Sequence, residues 1–422
     1  MFKTRVCLIL FLVTVCRFSY AQLSRITDGS IDEGVTVVAK FLNNNIKPEV
    51  RLFGIGDFQF MLKEPAKLNY AITAYLISGK KVNTVCLPVP DWELRGMNEY
   101  IQDNNNFSNR NFDSIFHSIF AGSEYNHQPL KDLFLWIKKY NTTNVQNPVS
   151  LRGVEYLGLE TAKFPKMNDY LIETYIRPYS QAIADSMKAA WKRNGNSNSV
   201  KSDSVILAYL RSYISIAEKT NALPEQKLEQ LKFYFDQRLW MYRLISSTLN
   251  ENNKLFNLVQ KKATVEAELI DSLLKNKKNK LAFLSTDANV MNIYVNAVNK
   301  LNNQSLSIPT NGPKYKEKYK DEYFCTVTSF ADSANVIGVK DSLRYQPILI
   351  FGDEPTKALR KKQEVFFYSK NESELKDLKI PIINSGGWGG EEVELITKKA
   401  ENDEPYDVLF IFKNLSRIEF LK

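Results

Sequence analysis

Short apolar runs that alternate with helical patterns organise the first part of this 422-residue chain. Residues 51–55, 81–87 and 149–159 have the length and composition of buried strands, and helical patterns separate them. A strand, a helix and a second strand in this order predict two parallel strands joined by a right-handed crossover. The pattern therefore predicts an α/β protein.

The pattern becomes continuously helical between about residues 167 and 276. Apolar residues recur there every three or four positions, as in Ile206, Leu210 and Ile214. Strand patterns then return at residues 280–284, 323–330, 348–351, 380–383 and 407–412. We therefore predict a mixed, largely parallel sheet flanked by helices, with a helical lobe inserted about halfway as a cap.

The N-terminal segment has the pattern of a secretory signal peptide. Lys3 and Arg5 precede an apolar run at residues 6–15, and small residues stand at Ser19 and Ala21. The apolar run is too short to span a bilayer. We expect cleavage after Ala21 and export to the periplasm or the extracellular space, with a retained membrane anchor as the alternative.

The composition excludes several functional classes. The chain is 44% hydrophobic and 24% charged, which is typical of a globular protein. Basic residues are interspersed with acidic ones, as at residues 275–280 and 314–320, so we expect a solvated surface and no nucleic-acid partner. Two of the four cysteines belong to the signal segment, and no Cys-x-x-Cys spacing exists. We expect no metal, no cofactor and no stable membrane insertion after cleavage.

Several short stretches resemble, in the same order, stretches of the erythromycin esterase family. They lie at residues 54–57, 98–100, 136–141, 156–160 and 406–412. Their order and spacing agree over residues 37–420, which is nearly the whole mature chain. The resemblance implies an α/β fold and an ancestral activity in which a histidine base, oriented by carboxylates, activates water against a macrolide lactone.

The places of the family's active-site histidines hold other residues in this chain. The family's first corner resembles Gly-Glu-x-Thr-His-Gly; here Gly56 and Asp57 match its first two positions, and Phe60 replaces the histidine. Thr286 and Asn289 stand where a Trp-Ala-His-Asn-x-His pattern would place two histidines. None of these replacements titrates near neutral pH, so none can act as the base. We therefore predict that macrolide hydrolysis by the family's mechanism is lost.

The other matched positions are acidic or apolar. Glu160 stands in the place of a family aspartate, and Pro88 replaces a glutamate at the second corner. Phe60 and Pro88 make the predicted cleft apolar, and the ring of Trp92 either stacks on a ligand or closes the core. The candidate binding residues are therefore Phe60, Pro88, Trp92, Thr286, Asn289 and Glu160.

Carboxylates offer an alternative chemistry. Asp57 ends a strand among apolar neighbours, which raise a carboxyl pKa towards a useful range. Glu64 and Asp287 are expected in the same cleft, so these three residues are the candidate catalytic groups. The alternative for Asp57 is that it caps the following helix. His117 is interpreted as a packed or surface residue, and His127 as a loop residue.

Three hypotheses follow from the sequence. In the first, an exported protein with the esterase-like fold has lost catalysis and acts by binding, with a hydrophobic small molecule as its partner. In the second, it is a divergent hydrolase of carboxylic esters that uses carboxylates in place of histidine. In the third, it is a structural partner in the cell envelope that presents the helical lobe. The missing histidines favour the first.

Overall fold

The fold is described from a computed structural model. The described residues are 29–57, 62–102, 112–121, 123, 125–155, 164–193, 200–249, 251–299, 305–330, 365–369, 393–399, 406–412, 419 and 421. The predicted signal peptide, Phe60, Glu160 and the predicted strands at 348–351 and 380–383 lie outside these residues.

Ten strands occur within the described residues. They are β1 (Leu52–Asp57), β2 (Thr84–Leu87), β3 (Ser150–Gly153), β4 (Leu281–Thr286), β5 (Ile293–Asn299), β6 (Ser305–Ile308), β7 (Tyr323–Phe330), β8 (Val365–Ser369), β9 (Val393–Lys399) and β10 (Val408–Phe412). Seven of them form one sheet in the order β3-β2-β4-β1-β7-β10-β8, in which β8 is antiparallel to β10 and the other six strands are parallel. The predicted mixed, largely parallel sheet is confirmed.

Strand β1 lies at the centre of this sheet, between β4 and β7. Leu52 pairs with Leu281 on one side and with Tyr323 on the other. All six residues of β1 are buried, as expected for a central parallel strand whose two faces are covered by helices. The carboxyl ends of β1 and β4 lie side by side, because Asp57 is in register with Thr286.

Helices accompany the sheet along the first part of the chain. They are α1 (Ile31–Leu42), α2 (Lys63–Lys80), α3 (Asp91–Gln102), α4 (Phe112–Phe120) and α5 (Gln128–Thr143). Helix α1 begins with a capping box between Ser30 and Glu33. Helix α2 ends at Lys81, whose φ of 63° is left-handed. Its middle is buried almost completely, so α2 packs as an internal helix.

The predicted helical insertion is confirmed by a run of helices. They are α6 (Phe164–Leu171), which continues as a π-helical turn (Ile172–Ile176), α7 (Gln181–Arg193), α8 (Val200–Thr220), α9 (Glu225–Ile245) and α10 (Glu251–Leu274). The second compact unit of the chain consists of Val89–Trp92 and Glu155–Glu266, while the sheet belongs to the first unit. No helix in the described ranges is both long and apolar enough to cross a membrane.

A second, smaller sheet was not predicted. It is antiparallel and has the strand order β6-β5-β9. Its sequences alternate apolar residues with Asn, Ser and Lys, as in Asn296, Ser307 and Lys398, and this polarity resembles that of loops. Two short α-helices and a 3₁₀ turn also belong to the first unit: α11 (Asp287–Val290), directly after β4, α12 (Gly312–Tyr319), before β7, and the 3₁₀ turn (Lys320–Glu322) between α12 and β7.

Gly56 in β1 is required by a close approach. A Cβ atom at this position would lie 2.3 Å from Asp287 Oδ1 and 3.0 Å from Asp287 Cα. Gly96 in α3 is a contrasting glycine, because the nearest atom to its Cβ would be Ile115 Cγ2 at 3.8 Å. The first glycine therefore has a packing role that the second lacks.

We expect Gly56→Ala to lower the free energy of unfolding by about 1–3 kcal/mol through overpacking. Gly96→Ala is the matched control and should be neutral or stabilising by up to about 1 kcal/mol, because alanine is the better helix former. Urea titration of both variants measures the difference. Equal stabilities for the two variants would show that Asp287 does not pack against β1 as described.

Candidate functional site

Asp57 lies at the carboxyl end of β1 and is 5% exposed. Its Oδ2 accepts a hydrogen bond of 3.2 Å from Asn69 Nδ2, which also donates to the backbone oxygen of Gly56 at 3.2 Å. The N-cap residue of α2 is Leu62, so Asp57 does not hold that position. Asn69, one of the buried residues of α2, instead orients the Asp57 carboxylate from the side of the helix.

Asp287 is the first residue of α11 and lies beside Asp57. Its Oδ1 accepts a hydrogen bond of 3.3 Å from the backbone N–H of Thr328 in β7. Burial raises the pKa of the Asp287 carboxyl well above its usual range, the negative charge of Asp57 raises it further, and the Thr328 bond opposes both. The structure thus brings two of the three candidate catalytic carboxylates together, and folding favours the protonated form of Asp287.

The remaining candidates near this edge have different environments. Thr286 is exposed at the end of β4. Asn289 is fixed within the first unit, because its Nδ2 donates to Ser285 Oγ at 2.9 Å and its Oδ1 accepts from the Asn311 N–H at 3.1 Å. Glu64 lies half-buried in the first turn of α2. Asn289 is therefore a structural link between α11 and the segment before α12.

Pro88 and Trp92 follow β2 along the chain. Pro88 is half-buried directly after the strand. Trp92 lies in the first turn of α3 and belongs to the second unit, where its ring centroid is 6.1 Å from that of Tyr170. Of the two roles considered for Trp92, this aromatic contact favours closing the core. Phe60 and Glu160 lie outside the described residues.

The sequence did not indicate the buried pair of Tyr70 and His127. His127 lies directly before α5, outside the helix, as the loop interpretation has it, but it is the N-cap of α5 and is fully buried. Its Nδ1 accepts from the Leu130 N–H at 3.3 Å, and its Nε2 lies 3.4 Å from Tyr70 Oη. Burial lowers the His127 pKa to about 4. At neutral pH it is therefore an uncharged ring, with the proton on Nε2.

A sequence signal for the role of His127 was present. Pro129 occupies the first turn of α5, directly before the apolar helical pattern, and this position of proline marks a helix start. The residue two positions earlier is then a candidate cap. His117 differs from His127, because it lies exposed on α4. His117 was expected to be either a packed or a surface residue, and it lies on the surface.

A small cavity adjoins Asp57. Its volume is about 10 Å³, which is the lower limit for one water molecule. The Asn69 side chain lines this inner cavity, and Asn69 Oδ1 is buried without a hydrogen-bond partner. The other lining residues include Tyr70, Ile55, Leu87 and Leu284. The inner cavity thus has apolar and polar lining residues and a volume that suits a single bound water.

A larger groove of about 290 Å³ lies between α1, α2 and α5. Its apolar walls include Ile31, Tyr70, Ala71, Pro129, Leu135 and Trp136, and its charged residues are Asp32, Lys67 and Asp132. Trp136 Nε1 donates to Asp32 Oδ1 at 2.7 Å, and the Trp136 indole stacks on Tyr140 with a centroid distance of 5.5 Å. The indole wall of this outer groove is therefore held on two sides.

The topology explains why the outer groove lies near the ends of the strands. Helix α2 follows β1 and so begins at the carboxyl edge of the sheet. Helices α1 and α5 lead into β1 and β3, so they end at the amino edge and begin at the carboxyl edge. The groove is lined by the N-terminal parts of all three helices. Open α/β sheets bind ligands at this edge, which makes the outer groove the candidate ligand site.

The arrangement has the groups for acid–base chemistry but shows no metal centre. Among the described residues, no three His, Cys, Asp or Glu side chains form a group that could hold a metal ion. Asp57 and Asp287 form a carboxyl pair in which burial and the charge of Asp57 raise the pKa of Asp287, and perturbed carboxyl pKa values are typical of acid–base sites.

Comparison with known proteins relates the fold to solved structures. No protein-family model and no curated protein match the chain. A Bacillus cereus protein matches with a TM-score of 0.59 and 13% identity, over 94% of this chain and 95% of its own. A mutant of the erythromycin esterase EreC in its open conformation matches with a TM-score of 0.56 and 10% identity, over 94% of this chain and 98% of its own.

A succinoglycan biosynthesis protein matches with a TM-score of 0.56 and 11% identity, over 90% of this chain and 91% of its own. At these identities, the likeness establishes a shared fold. The resemblance drawn from the short stretches is thus supported at the level of fold, and an erythromycin esterase is among the proteins that share it.

We expect the contribution of His127 to the free energy of unfolding to fall as the pH decreases from about 6.5 to 4. The unfolded chain takes up a proton at His127 in this range, whereas the folded chain keeps the ring neutral until its pKa of about 4. The full effect is on the order of 3 kcal/mol. His127→Asn should remove this dependence while keeping a cap acceptor for Leu130 N–H.

His117→Asn is the matched control, because His117 is exposed. Urea titrations at several pH values compare the two variants, and other titrating groups cancel in their difference. The same acid sensitivity in both variants would contradict the buried, neutral state of His127.

Proposed function

We propose that this protein is exported and binds a small hydrophobic compound in the outer groove, without catalysing ester hydrolysis by a histidine base. The observation that carries this proposal is the preformed groove of about 290 Å³ at the carboxyl edge of the sheet. Small-molecule sites are concave and mostly apolar, with a few polar groups that fix orientation. The signal-peptide pattern of residues 1–21 supports export.

The walls of the groove suit a ring compound. Trp136 supplies a flat face, and its bond to Asp32 holds that face in place before a ligand arrives. A wall that is already ordered reduces the entropy lost on binding. Leu135 is 40% exposed, so a ligand gains free energy by covering it. The charged residues of the groove then orient a polar substituent.

Two residues that stand in place of the family's histidines, Asn289 and Thr286, and the chain's own buried histidine, His127, support a non-catalytic role. Both ends of the Asn289 amide are engaged in hydrogen bonds. His127 is a neutral helix cap whose Nδ1 already accepts a backbone hydrogen bond. Thr286 has a hydroxyl group, which does not titrate near neutral pH. Asn289 and His127 are thus engaged in structural hydrogen bonds, and Thr286 cannot accept a proton as a general base near neutral pH.

We expect the neutral fluorophore N-phenyl-1-naphthylamine to bind saturably to the protein, and Leu135→Asp to weaken this binding at least 10-fold. A carboxylate in the groove would lose hydration when the apolar probe covers it. The control is Leu249→Asp in the helical lobe, because Leu249 is also 40% exposed. Fluorescence titration measures both.

If both variants weaken the saturable binding equally, or if neither variant weakens it, the probe binds outside the groove. Absence of saturable binding to the parent protein at all accessible probe concentrations would count against the proposal itself. Thermal unfolding of the two variants checks that each remains folded during the titration.

A second candidate function is favoured by the carboxyl pair. Ionised Asp57 would take a proton from a water molecule in the inner cavity while the water oxygen bonds to an ester carbonyl carbon. Protonated Asp287 would give its proton to the departing alkoxide, so that a carboxylic acid and an alcohol are released. Solvent then returns the proton from Asp57 to Asp287. The raised Asp287 pKa is what allows it to serve as the acid.

If this second function operates, Asp57→Asn and Asp287→Asn should each lower the hydrolysis of p-nitrophenyl acetate by about 10²–10⁴-fold, the usual contribution of a general acid or base. The control is Asp321→Asn, a largely exposed residue in an ion pair with Lys47. Release of p-nitrophenolate is followed at 25 °C or below. Absence of hydrolysis by the parent protein, or unchanged rates in both variants, would exclude the hydrolase and leave binding.

A further inference from the structure

Tyr70 lines both the outer groove and the inner cavity. Tyr70 belongs to α2, and the next turn back on the same helix supplies Lys67 to the outer groove. Its neighbour Asn69 faces the inner cavity together with Asp57. Among the residues that the structure describes, Tyr70 is thus shared by the ligand-sized groove and the cavity beside Asp57.

The hydrogen bond that holds the Tyr70 hydroxyl is long. The separation between Tyr70 Oη and His127 Nε2 is 3.4 Å, whereas hydrogen bonds in proteins are usually 2.7–3.2 Å long. The partner is a neutral imidazole, so no ionic attraction adds to the bond. Tyr75, farther along the same helix, makes a contrasting bond of 2.7 Å to Asn43 Oδ1.

We propose that Tyr70 is a movable wall: rotation of its side chain joins the outer groove to the inner cavity and gives a groove-bound ligand access to Asp57. This inference rests on the proposed binding function. Rotation about χ1 of a helical residue moves an aromatic ring between discrete positions while the backbone stays in place. The long bond to His127 makes this position easier to leave than that of Tyr75.

The joined site defines the chemistry of its ligand. Asn69 Oδ1 is a buried acceptor without a hydrogen-bond partner, and it belongs to a side chain that lines the inner cavity. A buried acceptor gains most from a donor group. The ligand class is therefore a hydrophobic ring compound that carries a hydroxyl group: the ring occupies the outer groove and the hydroxyl reaches Asn69.

A cysteine reporter in the inner cavity tests the movable wall. In Asp57→Cys, the thiolate attacks the sulfenyl sulfur of methyl methanethiosulfonate, a mixed disulfide forms and methanesulfinate leaves. The native Cys86 and Cys325 are buried, and the parent protein measures their background reaction. Leu87→Cys lines the same cavity and is the second reporter should Asp57→Cys fail to fold.

We expect Tyr70→Ala to raise the labelling rate of the reporter at least 10-fold. Tyr70→Phe should raise it about 2- to 10-fold, the factor that one hydrogen bond contributes. Tyr75→Phe, which loses the better hydrogen bond on the same helix, should leave the rate unchanged. Saturating N-phenyl-1-naphthylamine should slow labelling in the reporter protein, because it occupies the route.

Labelling that is insensitive to both Tyr70 variants, or equally increased by Tyr75→Phe, would overturn the movable wall. The outcome is distinguishable from failure of the proposed function. If the fluorophore binds in the groove but the labelling rate is the same in the Tyr70 variants, Tyr70 does not move and the proposed binding function is retained. If the labelling rate depends on Tyr70 but the fluorophore does not bind, Tyr70 moves and the proposed binding function is contradicted.

Discussion

The close approach of Asp287 to the backbone of β1 is the contact on which the carboxyl edge of the sheet depends. A Cβ atom at Gly56 would collide with Asp287 Oδ1, so only glycine leaves room for this carboxyl. The same oxygen accepts the Thr328 N–H of β7. One carboxyl group thus links the ends of β4, β1 and β7. Its packed position also sets the distance between the Asp57 and Asp287 carboxyl groups, and this distance determines their electrostatic repulsion.

The sequence allowed the sheet to be predicted from local patterns, and the carboxyl pair from the resemblance of two strand ends to those of the erythromycin esterase family. Apolar strands joined by helices specify parallel pairing, and parallel strands bring their carboxyl ends to one edge. Asp57 and Asp287 end or follow β1 and β4, and these strands are neighbours with Asp57 opposite Thr286. Asp57 and Asp287 were expected in one cleft because both stand at strand ends that resemble the family's site corners, and the order of the strands brings these two ends together.

The outer groove could not be predicted in the same way. Its walls come from three helices whose packing depends on contacts distant in sequence, such as the Trp136–Asp32 hydrogen bond. The helical periodicity identifies buried faces but does not say which faces meet. The role of Tyr70 has the same origin: its position in α2 predicts burial, whereas its placement between two cavities depends on His127, which lies 57 residues away in sequence. The sequence patterns therefore located the carboxyl edge of the sheet but not the outer groove beside it.

The carboxyl pair makes the stability of this edge depend on pH. The folded state raises the Asp287 pKa, so the folded chain binds the proton more tightly than the unfolded chain. The free energy of unfolding then falls as the pH rises from the unfolded pKa through the folded one, and at higher pH the charged group destabilises the fold. The Asp287 carboxyl thus joins the ends of three strands through its contacts, whereas its negative charge above that pKa opposes the same arrangement.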